Sequence, residues 1–387
     1  MKGLAYVGLA AVAAVAAFLA GPLVRRQAHP EGTRPVPRGA SLEQRFPVHT
    51  EAWKRAASED LRWREKRGHA YSLKDRDESR PDDPRWKRLF AGRPKLRPLP
   101  GGCLYCHGGI PPQGFVGLAT RSYFEARQFV SQPIGCLDCH DGQSVALRVT
   151  RPDFERPARS HQEMRVLVCA QCHTEYYFAP GTRQVTLPWS KGLKVEEIEA
   201  YYDAINFRDF EHAETGAALL EVRHPQFELY SQGVHARSGV ACADCHMPWL
   251  RQGAVKISDH HVRSPLDDPR RSCLACHAFS AEEMKARAKA IQDRTTALLD
   301  RALAAIVELL DEARAGGGSE AARRLQRRAQ FRADFVNADG SKGFHAPQEA
   351  ARLLAEAIDY ARQGQVAARR AASFGRRGAG HGAVPAQ

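Results

Sequence analysis

The sequence predicts a mainly α fold in which loops and short helices wrap a row of cofactors, followed by long C-terminal helices. Three observations predict it. Cys-x-x-Cys-His occurs five times, at Cys103–His107, Cys136–His140, Cys169–His173, Cys242–His246 and Cys273–His277, and these motifs use all 10 cysteines. Apolar residues make up only 43% of 387 residues and aromatics 8%, low for a chain of this length that buries a purely protein core. Helical periodicity then dominates the region after the last motif.

The motif is the attachment pattern for c-type haem: two thiols bond the vinyl groups of one porphyrin, and the adjacent imidazole reaches its iron. Zinc knuckles and redox dithiols also use Cys-x-x-Cys, but neither needs a histidine directly after the second cysteine every time. The expected cofactors are therefore five covalently bound haem c groups, held by Cys103 and Cys106, Cys136 and Cys139, Cys169 and Cys172, Cys242 and Cys245, and Cys273 and Cys276. His107, His140, His173, His246 and His277 are the expected proximal ligands.

Formal charge is +13, reduced by haem propionates that the count omits. No aromatic-interleaved basic stripe or nucleic-acid motif accompanies it, so no nucleic-acid partner is expected, and a small anionic substrate suits the field better. Gly3 to Val24 is uncharged and apolar, flanked by Lys2, Arg25 and Arg26, so residues 1–26 read as a signal peptide or an N-terminal membrane anchor. Either implies a periplasmic or otherwise extracytoplasmic location.

Residues 27–50, rich in Pro, Gly and charge, read as a linker, and residues 51–279 as the pentahaem catalytic region. Glu51 to Arg67 has helical spacing, whereas the prolines of Pro81 to Pro100 predict an extended loop. The first three motifs start at the evenly spaced Cys103, Cys136 and Cys169, which suits closely stacked cofactors. A long insertion, residues 174–241, then breaks the rhythm, and such insertions usually carry function. Residues 280–372 read as helices at Ala281–Ala315, Glu320–Val336 and Pro347–Ala372, with Ser280 and Glu283 as a capping pair and a dimer interface as their expected use. Residues 373–387, rich in Gly and Arg, read as a disordered tail.

Of 16 histidines, those outside the motifs supply the candidate sixth ligands. His29, His49 and His381 lie in expected linkers or tails and read as solvated. His69, His161, His212, His224, His235, His260, His261 and His345 remain. An electron carrier would fill every sixth position, whereas a catalyst leaves one iron face open to substrate. Histidine number does not separate the two.

RGHAY, CAQCHTEYYF, VEEIEAYYD, the stretch from HAETG to CADCHMP, and SDHHVRSPL resemble the pentahaem cytochrome c nitrite reductases, over most of the chain from about Arg67. The resemblance implies an all-α fold, usually a homodimer, reducing nitrite to ammonium with six electrons. The electrons would come from a membrane quinol dehydrogenase or a small multihaem cytochrome. It implies that the first motif holds the active haem, with Tyr176 and His224 distal and Arg80 as the distal arginine, Arg76 and Arg85 being its alternatives. It also implies His260 as sixth ligand of the second iron, His69 of the third, His345 of the fourth and His235 of the fifth, with His261 closely competing with His260. His161 and His212 are left structural. The chain departs from the family in two places. His107 stands where most members have lysine, and Glu221 and Arg223 replace calcium-site residues, so that Arg223, facing Glu175, is expected to take the place of calcium. The alternatives are a non-catalytic electron-transfer protein and a multihaem reductase of another small nitrogen or sulfur oxyanion.

Overall fold

The computed structural model describes residues 41–55, 68–73, 83–93, 100–109, 117–130, 132–154, 156–316 and 319–379. The expected signal or anchor, residues 1–26, lies outside them, as do Arg76 and Arg80. No helix among the described residues is long and apolar enough to cross a membrane.

The fold is mainly helical, as predicted. Among the described residues the strands form three short antiparallel hairpins: β1 (Tyr177–Phe178) with β2 (Val185–Thr186), β3 (Phe210–Glu211) with β4 (Ala218–Leu219), and β5 (Trp249–Gln252) with β6 (Val255–Ser258). Before the long helices, the helical pieces are short. They are α1 (Leu42–Arg45), α2 (Pro47–Arg55), α3 (Pro84–Leu89), α4 (Leu104–His107), α5 (Tyr123–Arg127), α6 (His161–Ala170), α7 (Val195–Ala204), α8 (Gln226–Gln232), α9 (Val234–Arg237), α10 (Cys242–His246) and α11 (Pro269–Ser272). Such pieces are too short to be stable alone, so tertiary contacts must hold them.

The chain ends in three long helices, α12 (Ala281–Gly316), α13 (Glu320–Ala338) and α14 (Pro347–Ala379). Ser280 Oγ caps α12 by accepting from Glu283 N at 3.0 Å, and Ser319 Oγ caps α13 by accepting from Ala322 N at 3.2 Å. Pro347 opens α14 at the first helical position, where its missing N–H costs nothing. Leu303, Ile306 and Leu310 on α12 meet Ala350, Leu353, Leu354, Ala357 and Ala361 on α14, all essentially unexposed. Their spacing of three and four residues forms one apolar stripe per helix. The small residues let the axes approach: a Cβ on Gly364 would stand 2.8 Å from Leu309 Cδ2.

Three sequence expectations need correction. Residues 41–50 of the expected linker form α1 and the start of α2, because Ser41 and Gln44 close a capping box that composition alone does not reveal. The expected loop at Pro81–Pro100 contains α3, since Asp83 caps it and Pro84 occupies its first position, a helix start rather than a helix break. Trp86 and Leu89 bury that helix in the main core, and Arg85 and Arg88 tie it to Asp300 and Asp311 of α12. The expected tail is helical as far as Ala379, continuing α14.

Leu310 is fully buried between α12 and its neighbours. Leu310→Ala should cost about 2–5 kcal/mol, read as a lower denaturant midpoint of the helical signal with haem content unchanged.

Candidate haem centres and distal site

Four proximal histidines each face a second imidazole from elsewhere in the chain. Ring centroids are 6.2 Å apart for His140 and His260, 6.3 Å for His173 and His69, 6.5 Å for His246 and His345, and 6.3 Å for His277 and His235. Two imidazoles binding opposite faces of one metal at about 2 Å each would hold their centroids roughly 6 Å apart. The donor sets therefore fit bis-histidine haem, and the cysteines of each motif stand beside them.

Backbone carbonyls set the tautomer of these rings. A carbonyl oxygen can only accept, so a ring bonded to one through Nδ1 must carry its proton there and keep Nε2 free for a metal. His140 Nδ1 donates to Val145 O at 2.8 Å, His246 Nδ1 to Arg263 O at 2.9 Å and His260 Nδ1 to Ser258 O at 3.0 Å. His345 Nδ1 bonds the buried Asp339 carboxylate at 2.6 Å. Burial pushes His173 down to about 3 and His260 down to about 4, and it lowers His69, His235 and His246 as well. Neutral rings are what metal ligation requires.

His345 comes from the segment between α13 and α14, so the helical region completes the fourth centre. Its carbonyl lies so close to Gly233 that a Cβ there would be 2.1 Å away. Of the adjacent histidines, His260 faces His140, while the His261 ring bonds Arg263. His212 is buried and holds Arg88 O at 2.8 Å, a structural role; His161 is exposed at the start of α6.

The spatial order of the motifs differs from their order in the chain. The Cys106 and Cys172 thiols are within hydrogen-bonding reach, as are Cys169 and Cys242. Cys139 neighbours Cys169, and Cys245 neighbours Cys273. The row is thus first, third, fourth, fifth, with the second beside the third. A buried polar staple holds the first three together. Arg151 donates to Tyr105 O at 2.7 Å, Gly108 O at 3.1 Å and Asp138 Oδ1 at 2.7 Å, while Gln171 donates to Asp138 O at 3.0 Å. Nothing in the sequence singled out Arg151, because its partners are mostly carbonyls of other motifs.

His107 is placed differently. Its Nδ1 donates to Ser72 O at 3.2 Å and Ser72 Oγ donates to His107 O at 2.8 Å, but among the described residues no imidazole pairs with it at the spacing of the other four. Tyr176 packs against Cys106 and Tyr105 of this motif, and the His224 ring lies 6.5 Å from the Tyr176 ring, inclined by 27°. Arg85 on α3, one of the alternatives for the distal arginine, is engaged by Asp83 and by Asp300 of α12.

Behind Tyr176 lies a buried charge cluster. Arg223 pairs with Asp209 at 2.8 Å and Glu221 at 2.7 Å, and its backbone N–H donates to Glu175 Oε2 at 2.8 Å. The guanidinium expected to face Glu175 is held by the acidic neighbours Asp209 and Glu221, and Glu175 feels it through space. Tyr202 OH donates to Glu175 Oε1 at 3.1 Å. Burial pushes the Glu175 and Asp209 carboxyls above their usual range. Glu228 Oε1 accepts from Thr174 Oγ1 at 2.6 Å, Glu175 N at 2.9 Å and Trp189 Nε1 at 2.8 Å, while Oε2 has no hydrogen-bond partner among the described residues.

The fold and these centres define a multihaem c-type cytochrome. Residues 41–382 match the cytochrome c552 family, and the chain belongs to it. It is similar to a cytochrome c-552 of Parabacteroides distasonis, 34% identical over 325 residues, and to one of Bacteroides fragilis, 36% identical over 325 residues. Each alignment covers 78% of this chain and 64% of the relative, so the chain spans somewhat under two thirds of these relatives. Among solved structures it is similar to the catalytic subunit of the cytochrome c nitrite reductase of Desulfovibrio desulfuricans, a protein with two calcium sites. The TM-score is 0.75 and the identity 25%, covering 88% of both chains.

Burial pushes Glu228 up to about 7 from an ordinary 4.5. Between these values the unfolded carboxyl ionises while the folded one keeps its proton, so the group's contribution to stability is lost as pH rises through that window. Glu228→Gln removes this dependence. Its stability relative to the parent should rise by about 3 kcal/mol between pH 4.5 and 7 and stay level above, measured by denaturant unfolding across that range.

Proposed function

We propose that the chain reduces nitrite to ammonium with six electrons, at a haem c held by Cys103 and Cys106 with His107 as proximal ligand. Four bis-histidine haems, on His140 and His260, His173 and His69, His246 and His345, and His277 and His235, would feed it. One observation carries this reading: four proximal rings face a partner imidazole, whereas the surroundings of His107 offer a phenol and an imidazole suited to substrate. The family and the nitrite reductase neighbour support it.

When bound, the first haem supplies a redox-active Lewis acid. The chain's own side chains must then manage protons and orientation. His224 can donate a proton to an oxygen leaving nitrogen and be reprotonated from solvent. The Tyr176 hydroxyl can orient a bound nitrogen oxide by hydrogen bonding, and packing against Cys106 and Phe178 holds its ring in place. Arg80, outside the described residues, remains the proposed clamp for the anion. Glu175, Glu228 and Thr174 keep the segment leading to Tyr176 fixed.

We also propose that Arg223 takes the place of calcium. Its buried guanidinium already compensates Asp209 and Glu221, and a divalent cation beside Glu175 would be repelled by it. The same reading places the protein outside the cytoplasm, as a homodimer formed through the long helices. A membrane quinol dehydrogenase or a small multihaem cytochrome would supply its electrons.

His224→Ala should lower ammonium formation from nitrite by about 10²–10⁴-fold, with five haems still present by pyridine haemochrome assay and a high-spin ferric signal retained. Unchanged turnover would remove His224 from the mechanism. Chelation or addition of calcium should leave turnover of the parent unaltered. Arg223→Ala should destabilise the fold by about 3–5 kcal/mol, because Asp209 loses its ion-pair partner and Glu221 is left with Arg93 alone, and added calcium should then raise its melting temperature.

A further inference from the structure

His49 belongs to a stretch that its composition marks as a linker, yet it stands against the second haem centre. Its ring centroid lies 4.7 Å from that of His260, at an interplanar angle of 84°. That is closer than Phe344 to His235, at 6.1 Å, or Tyr230 to His345, at 6.4 Å. His260 also faces His140, at 6.2 Å.

The contact is built into how α1 and α2 are held. Glu43 lies near Cys136, Arg45 NH1 donates to Gly142 O at 2.8 Å, and Trp53 Nε1 donates to Ile134 O at 3.2 Å. These partners bracket the second motif, Cys136–His140, on both sides. The helical pair therefore clasps the motif and carries His49 onto the ring opposite its proximal histidine. Phe46 buttresses His49 edge-on at 5.8 Å, and the Arg45 guanidinium sits 5.5 Å over the Phe46 ring.

An axial imidazole has one rotational freedom that matters, its turn about the metal–nitrogen bond. That angle governs overlap with the iron orbitals, and access of water around the ring governs how well the oxidised, more charged state is solvated. The bond from His260 Nδ1 to Ser258 O restrains the ring from one edge. His49 restrains it through close packing and covers it from water.

We propose that His49 is a positioning residue for the second haem, fixing the plane of the His260 imidazole and shielding it, and so setting that haem's reduction potential. This rests on the reading of His140 and His260 as its axial pair.

The test uses the holoprotein with haem content checked throughout. His49→Ala should shift the g-anisotropy of one low-spin ferric signal and lower the midpoint potential of one haem, because water gains access to the oxidised centre, leaving the other low-spin haems unchanged. His49→Phe, which restores a ring of similar shape, should return both readouts towards the parent. Should His49→Ala fail to hold five haems, the comparison moves to His49→Phe against His49→Gln, in which only the phenyl ring is expected to keep the parent signal. Equal signals and potentials in the parent and the ring-less variant would overturn the proposal. His260→Ala separates the underlying reading: a changed low-spin signal there, with none from His49 replacement, sinks His49 alone, whereas no change in either removes the axial pair as well.

Discussion

The structure depends on bringing imidazoles from distant parts of the chain together in pairs, at the spacing that opposite faces of one metal would require. A histidine in water offers either nitrogen and is partly charged near neutral pH, so folding must choose both tautomer and charge. Hydrogen bonds from Nδ1 to Val145, Ser258 and Arg263 carbonyls make the first choice, and for His260 and His246 burial makes the second. Asp339 makes the first choice for His345 and, as a carboxylate, also adds electron density to its ring. The irregular backbone that bears Val145 and Arg263 thus has a purpose, since a regular helix or sheet would have kept their carbonyls for itself, while Ser258 offers its carbonyl from the end of β6.

The same constraint explains the division of labour in the fold. Short helices carry the attachment motifs but cannot hold themselves in place. The long helices α12 to α14 supply the continuous apolar core, and the turn between α13 and α14 sends His345 back into the haem region. Arg151 and Gln171 then bind three motifs to one another through buried polar contacts. Buried polar networks of this kind are useful only when nearly every member is satisfied, which makes the relative placement of the motifs rigid.

Behind Tyr176 the difficulty is excess negative charge. Glu175, Glu221 and Glu228 are buried and Asp209 is partly so, and Arg223 and Arg93 provide the nearby positive charge. The imbalance is relieved by carboxyls retaining protons, in keeping with the raised Glu175, Asp209 and Glu228. Because this cluster adjoins the segment bearing Tyr176, its charge balance and the geometry of the distal site are linked.

The sequence alone determined the long C-terminal helices and marked the candidate attachment cysteines and proximal histidines, because a motif of adjacent residues and a periodicity of three to four residues are local properties. It also marked Tyr176 and His224, through resemblance rather than through any local rule. It could not place His49, Arg151 or Ser72, whose roles come from partners far away in the chain: His260, Tyr105 and His107 respectively. Nor could it show that Cys172 of the third motif comes beside Cys106 of the first, since even spacing along a chain says nothing about which loops fold back. Those arrangements were decided by tertiary structure, because ring-to-ring contact and buried hydrogen bonding depend on distance in space, and sequence separation does not fix that distance.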